Sequence, residues 1–436
     1  MKLTRAIQTF CRRMLSTSSL SLALCLISLS SAFADDKDTP LAGESYHTEL
    51  LGERVDVPAR DRRNVTAINF GVMYIPNGPS MLEVLPFGSL FVWHNWDDDY
   101  RRLRATVAGA VNDINFNIGS RSLKRWELVL TFDNTIIPFG RAEYVEGQRI
   151  APVAIQWSYL FAGAGIGYRE QLPGKSQDNA IEVSLTYEPG YRWFQRSGDT
   201  SPNFVVPADT YEGRAHFRLR LDALDRNLME LPHAGFSFGG DAMYGHRAHW
   251  SQWGGVAFPP PNAQQEKTYQ LVSAYAVAAG GVPFVESERH RLVSSLYGGI
   301  GRHLDRFSAF RLPGRPTGYE WEALSLPVMP GVQFNELFPT KYGIADLIYR
   351  YELLFFMYPY IRATYGLVER PLFGPDGSIR FQTDPLPALG GGIVSGAPFR
   401  SQIEVGYSYN FGIFRDPGGH VSMGGHGLFA MWSKEI

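Results

Sequence analysis

The chain has 436 residues, of which 45 are glycine, 14% are aromatic and only 19% are charged, with a formal net charge of −2. Its two cysteines, Cys11 and Cys25, both lie near the start, which excludes a disulfide-held secreted domain or a thiolate metal site further along. The balance of charge offers nothing to nucleic acid, while many glycines, many aromatics and few charges suit a barrel that turns often and faces lipid.

In chain order, Lys2, Arg5, Arg12 and Arg13 precede an apolar stretch from Leu20 to Leu29 and the small-residue tripeptide Ala32-Phe33-Ala34. That layout predicts a secretory signal over residues 1–34, cleaved before Asp35, since the apolar stretch is shorter than the roughly 20 residues a spanning helix needs. Without the four basic residues of the signal, 37 basic and 43 acidic residues leave the mature chain at −6. No apolar run of transmembrane-helix length follows, so any crossing of a membrane falls to strands.

Period-two segments fill the rest. Trp126, Leu128, Leu130 and Phe132 alternate with Glu127, Thr131 and Asp133; Ile181, Val183, Leu185 and Tyr187 with Glu182, Ser184 and Thr186. Phe217, Leu219 and Leu221 oppose Arg214, His216, Arg218 and Arg220, and Leu347, Tyr349 and Tyr351 oppose Asp346, Arg350 and Glu352. Ile403, Val405, Tyr407, Tyr409 and Phe411 share one face of the clearest segment. These runs are about 8 to 12 residues long, which suits a tilted strand crossing a bilayer better than the shorter strands of a soluble sandwich.

Connections alternate between short and long, as barrels with short periplasmic turns and longer outer loops require. From the C-terminus the outer loops are placed at 412–420, at a Pro-rich stretch from Val368 to Leu386, at the very long stretch from Leu304 to Tyr342, and at His246 to Lys267. Fifteen strands stand out, an even number is needed, and the run from His47 to Val57 is taken as the missing one, which gives about sixteen. A hairpin between Ile136 and Ile155 would disturb that count.

The sequence Leu221-Asp222-Ala223-Leu224-Asp225, followed by Pro232-His233-Ala234-Gly235, and the later Phe310-Arg311-Leu312-Pro313-Gly314-Arg315-Pro316-Thr317-Gly318-Tyr319 resemble motifs of the bacterial surface antigen superfamily, the BamA and TamA type. The resemblance covers the second half of the chain by motif and the first half by strand pattern. It implies a sixteen-strand barrel in which Asp222, Asp225, Pro232 and Gly235 form the periplasmic turn before the ninth strand. The sixth outer loop then folds into the lumen with Gly314, Arg315, Gly318 and Tyr319 at its motif. Three departures are visible. Thr317 stands where that family's loop carries arginine, and the sequence leaves open whether Arg315 takes its place. Residues Ser433 to Ile436 extend beyond the terminal aromatic Trp432, and repeated periplasmic POTRA modules are not expected in the space before Val65.

Several motifs have ordinary readings. Gly235-Phe236-Ser237-Phe238-Gly239 fits the serine-hydrolase pattern, yet that nucleophile needs a sharp strand-to-helix turn, and here it falls inside an alternating strand. His246 and His249 lack a third ligand and read as part of an aromatic-girdle loop with Trp250 and Trp253. The basic ladder Arg214, His216, Arg218 and Arg220 faces the lumen, as do Glu127, Glu182, Asp346, Glu352 and Glu404. A neutralising ion-pair network is expected there rather than an open, polarised pore. Arg315 is expected to dock on Asp346 or Glu352, so that Arg315→Ala loosens the heat-resistant folded band on a semi-native gel; an unchanged band rejects the contact.

The expectation is thus an all-β transmembrane antiparallel barrel over residues 47–436, preceded by a short periplasmic segment, 35–46, and located in the cell outer membrane. The expected role is non-enzymatic, without cofactor, metal or catalytic residues: a membrane anchor or a partner-dependent translocation or assembly component. Its partners would be outer-membrane lipid and a periplasmic protein or lipoprotein. The alternative is a porin-like diffusion channel for small solutes.

Overall fold

The computed structural model describes residues 46–50, 52–57, 64–78, 83–96, 100–173, 179–225, 232–254, 266–314, 322–333, 336–354, 356–373, 379–397, 401–416 and 421–436. In chain order the strands are β1 (Tyr46–Leu50), β2 (Glu53–Val57), β3 (Asn64–Tyr74), β4 (Val84–Trp96), β5 (Arg101–Val107), β6 (Val111–Gly119), β7 (Trp126–Thr135), β8 (Arg141–Val145), β9 (Gln148–Gln171) and β10 (Ala180–Arg196). They continue as β11 (Thr210–Asp225), β12 (Ala234–Arg247), β13 (Thr268–Gly281), β14 (His290–Arg302), β15 (Lys341–Tyr351), β16 (Met357–Phe373), β17 (Ile379–Ala397), β18 (Ser401–Arg415) and β19 (Ser422–Glu435). Among the described residues no helix is long and apolar enough to cross a membrane.

The sheet closes on itself, every neighbouring pair antiparallel, with sixteen crossings: β3 to β7 and β9 to β19. β8 adds no crossing. β7 pairs with the second half of β9 (Trp126↔Tyr168 to Thr135↔Tyr159), and after an irregular stretch β8 pairs with the first half of the same strand (Arg141↔Ile155 to Val145↔Gln148). The hairpin between residues 136 and 155 therefore extends an existing strand pair instead of adding a new one.

The run from His47 to Val57 is not the first barrel strand. It reverses at Gly52, whose φ of +83° suits glycine, and pairs with itself as a separate two-stranded sheet, Tyr46↔Val57 to Leu50↔Glu53. His47, Glu49, Arg54 and Asp56, which share one face of this hairpin, are exposed. The His47 ring and the Arg54 guanidinium hydrogen-bond Asp56 and hold its carboxyl below the ordinary range.

The barrel closes between β19 and β3, with Leu428↔Tyr74 to Glu435↔Ala67 in register. The residues past Trp432 complete this seam: Ser433 Oγ donates to Asn69 Oδ1 at 2.7 Å and the Ile436 N–H to the Thr66 carbonyl at 2.9 Å.

Alternation sorts the two faces. Phe70, Leu128, Ile166, Leu185, Phe217, Phe238, Leu296, Leu347, Ile361, Leu389, Val405 and Leu428 are all exposed on the outside, strand after strand, a continuous apolar belt that water would not tolerate and lipid would. The inside is polar. The stretch from Val368 to Leu386, expected to be a loop, is strand on both sides, paired down to Phe373↔Ile379. Its described prolines allow this because Leu367↔Pro385 and Pro371↔Phe381 are even steps apart. They fall in one class of pair, the class that exchanges no backbone hydrogen bonds, so the missing N–H groups cost the ladder nothing.

The described residues on either side of the turn before β12 are tied by one side-chain and one backbone hydrogen bond. Asp222 Oδ1 accepts the Leu224 N–H at 3.0 Å, and the Asp225 carbonyl accepts the His233 N–H at 2.8 Å. Gly235 sits at φ +97°, where a Cβ would lie 2.2 Å from the Ala223 carbonyl oxygen. Gly235→Ala is therefore expected to cost about 2–4 kcal/mol, from backbone strain plus the clash. Urea unfolding in lipid vesicles measures this, and a midpoint equal to the parent's would show that the turn relaxes freely.

Candidate functional site

In the lumen, charge, burial and the long segment between β14 and β15 meet. On β11 the residues Arg214, His216, Arg218 and Arg220 each lie near carboxylates. Arg214 pairs with Asp133 and Glu188, each at 3.0 Å. His216 lies 2.8 Å from Asp241 and 3.4 Å from Glu188. Arg220 meets Asp241 at 2.8 Å and Glu322 at 2.7 Å, and Arg218 lies 3.6 Å from both. The β11–β12 register places Asp241 opposite Arg218, between its two other cations.

The acidic residues expected to oppose the ladder have other partners. Arg102 bridges Glu127 and Glu182 at 2.7 and 2.6 Å, and Arg104 and Arg169 also hold Glu182. Asp346 accepts from Arg362 and from the Thr364 hydroxyl, each at 2.6 Å. Glu352 lies 3.2 Å from Arg350, and Glu404 accepts the Tyr360 hydroxyl at 2.8 Å. The lumen wall is a chain of local ion pairs, not two opposed walls of one sign.

Glu322 belongs to the stretch between β14 and β15, and that stretch enters the lumen at several points. Near its start Asp305 meets Arg247 at 2.6 Å, and Arg247 also meets Glu212, whose other side is held by Arg192 at 3.0 Å and by the Tyr269 hydroxyl at 2.7 Å. The side chains of Arg247, Asp305 and Glu212 are fully buried. Near its end Glu336 meets Arg415 at 2.6 Å, and Arg415 also donates to the Gly331 carbonyl at 2.6 Å. The Asn410 amide donates to the Pro330 carbonyl at 2.9 Å.

The two limbs of the segment touch where the Met329 N–H donates to the Pro313 carbonyl at 2.9 Å. A Cβ on Gly314 would sit 1.6 Å from the Val332 carbonyl oxygen, so only glycine fits that crossing. Arg315, Gly318 and Tyr319 lie outside the described residues, as does the expected docking of Arg315.

Trp250 and Trp253 are not girdle residues. Both are buried with Trp157, Phe194, Phe204 and Phe307, Phe307 coming from the inserted segment and lying 5.1 Å from Trp253 and 5.5 Å from Trp157 between ring centroids. His246 and His249 are exposed beside them, and among the described residues no group of three or more His, Cys, Asp or Glu is placed to hold a metal ion. Ser237 lies within β12, and its hydroxyl donates to the Leu221 carbonyl at 2.8 Å, with the Tyr275 hydroxyl 3.4 Å away. Nothing in those contacts activates a nucleophile.

Three features escaped the sequence: the carboxylates Glu188, Asp241 and Glu322 that neutralise the ladder, the Asp305 anchor, and the aromatic cluster. Asp241 was the most accessible of these, since it follows from extending the alternation of β12 four residues past Ser237.

Solved structures similar to this chain are CdiB from Acinetobacter baumannii (11% identity, 89% of this chain, TM-score 0.48), BamA from Haemophilus ducreyi lacking POTRA domains 1–3 (12%, 95%, 0.46) and CdiB from Escherichia coli (10%, 91%, 0.47). The likeness extends over 65%, 79% and 68% of those chains respectively, so it spans less than two thirds of the first. No protein-family model and no curated protein matches the chain. The barrel is read from its own strand pairing.

Proposed function

We propose that this protein is an exported, non-enzymatic outer-membrane barrel of the surface antigen type, which acts as a membrane anchor or as a partner-dependent component of protein translocation or assembly. The observation that carries this reading is the filled lumen. The segment between β14 and β15 is tied to inward side chains of β11, β12 and β18 through Glu322, Asp305 and Glu336, which supports a lumen obstructed by that segment. A diffusion channel has the opposite requirement, a lumen lined by charge but not crossed. The apolar belt supports lipid as one partner, and the end that carries both termini is assigned to the periplasm, where a protein or lipoprotein partner would dock.

Two measurements test the proposal. Purified protein in planar bilayers is expected to show only rare, brief openings, and crosslinked envelopes are expected to yield a periplasmic protein or lipoprotein in stoichiometric amount. A stable high-conductance pore with no co-purifying partner would favour the channel instead.

A further inference from the structure

Where the β8–β9 hairpin meets the start of the inserted segment, three guanidinium groups lie in sequence. Arg311 donates to the Arg306 carbonyl at 2.8 Å, Arg306 to the Arg141 carbonyl at 2.6 Å, and Arg141 to the Trp157 carbonyl. Arg141 and Arg311 lie over the same indole, 3.6 and 5.0 Å from the Trp157 ring centroid. Arg306 reaches one carboxylate, Glu143, at 3.4 Å, and Arg141 reaches none among the described residues.

Arg141 is 7% exposed, and its Nε–H is buried without a partner. A guanidinium carries five N–H donors in a planar fork, and a buried charge without a counter-charge is costly by several kcal/mol. Burial, followed by the neighbouring Arg306, pulls Arg141 down to about 9, which still leaves it charged at neutral pH. At three other points the inserted segment sets a carboxylate against a wall arginine: Asp305 on Arg247, Glu322 on Arg220, Glu336 on Arg415.

We propose that Arg141, with Arg306 beside it, forms a site for a small oxyanion of the phosphate or sulfate type, which supplies the counter-charge at this end of the barrel. Arginine forks suit such an anion, since each offers two parallel N–H groups to two of its oxygens. Inorganic phosphate and a phosphate monoester on a lipid headgroup share this chemistry.

The test uses the full-length folded protein in phosphatidylcholine vesicles. Its thermal midpoint is followed by the mobility shift on semi-native gels, in phosphate or in chloride at equal ionic strength. Phosphate is expected to raise the midpoint by at least about 2 °C, as a ligand that binds only the folded state does, and Arg141→Gln is expected to remove most of that rise. Arg141→Lys, which keeps the charge but not the fork, is expected to keep only part of it, and it serves as the readout if the glutamine variant does not fold. Should free phosphate do nothing while vesicles containing a phosphate-monoester lipid stabilise the parent and not the variant, the anion is lipid-borne. A response equal to the parent's in both variants, or no response to either source, overturns the site.

Discussion

Arg247→Ala is expected to destabilise the barrel by about 3–5 kcal/mol, because it leaves two buried carboxylates facing each other with their shared cation gone. Arg247, Asp305 and Glu212 have fully buried side chains, and Arg247 touches both acids. Arg192 and the Tyr269 hydroxyl still hold Glu212 after the substitution, but Asp305 keeps only local donors, the N–H groups of Phe307 and Ser308 and the Ser308 hydroxyl. The damage therefore falls on the start of the inserted segment, and openings in a planar bilayer are expected to become more frequent together with the loss of stability. The double variant Arg247→Met with Asp305→Asn separates pairing from packing: it removes both charges and is expected to cost less than the sum of its parts, with a coupling of about 1–3 kcal/mol. Urea unfolding of all four proteins in vesicles measures the cycle, and strict additivity would mean that the pair is not coupled in the folded barrel.

Much of this architecture was legible in the sequence, because a barrel with lipid outside and charge inside prints its pleat directly on the chain. Phe217 out and Arg218 in needs no tertiary information, and the loop parity that makes β12 the eighth strand from the C-terminus follows from lengths alone. What was not legible depends on pairing. Pro371 and Pro385 read as a loop because proline removes a donor, and only the register of β16 against β17 reveals that the lost donors were never needed. His47 to Val57 read as a barrel strand by count, although Gly52 in its middle already spoke for a separate hairpin. Trp250 and Trp253 read as lipid-facing because tryptophan favours that interface, but Phe307, more than fifty residues away, gives them a drier place inside. The partners of the β11 ladder come from β7, β10, β12 and the inserted segment, and alternation states which way a residue points without stating whom it meets.

Replacing residues 304–339 by a short Gly-Ser turn is expected to convert a closed barrel into an open one, with mean conductance raised at least about tenfold, since a sixteen-strand barrel without a plug encloses an aqueous channel. The graft is geometrically cheap: Ile300 pairs directly with Lys341 and the Gly301 N–H already donates to the Thr340 carbonyl, so a tight turn can join β14 to β15. Selectivity gives a second, sharper reading. The deletion takes away Asp305, Glu322 and Glu336 but leaves their wall partners. Arg247 keeps Glu212 and Arg220 keeps Asp241, whereas Arg415 is left with no carboxylate among the described residues. The lumen near β18 then carries unbalanced positive charge, and the open barrel is expected to prefer anions, seen as a shifted reversal potential in a salt gradient. Arg415→Gln in the shortened barrel should abolish that preference while leaving conductance high. A shortened barrel that folds but stays as tight as the parent would place the seal elsewhere, in the Trp157 and Trp250 cluster at the mouth, and would remove the filled lumen as the support for a role other than a channel.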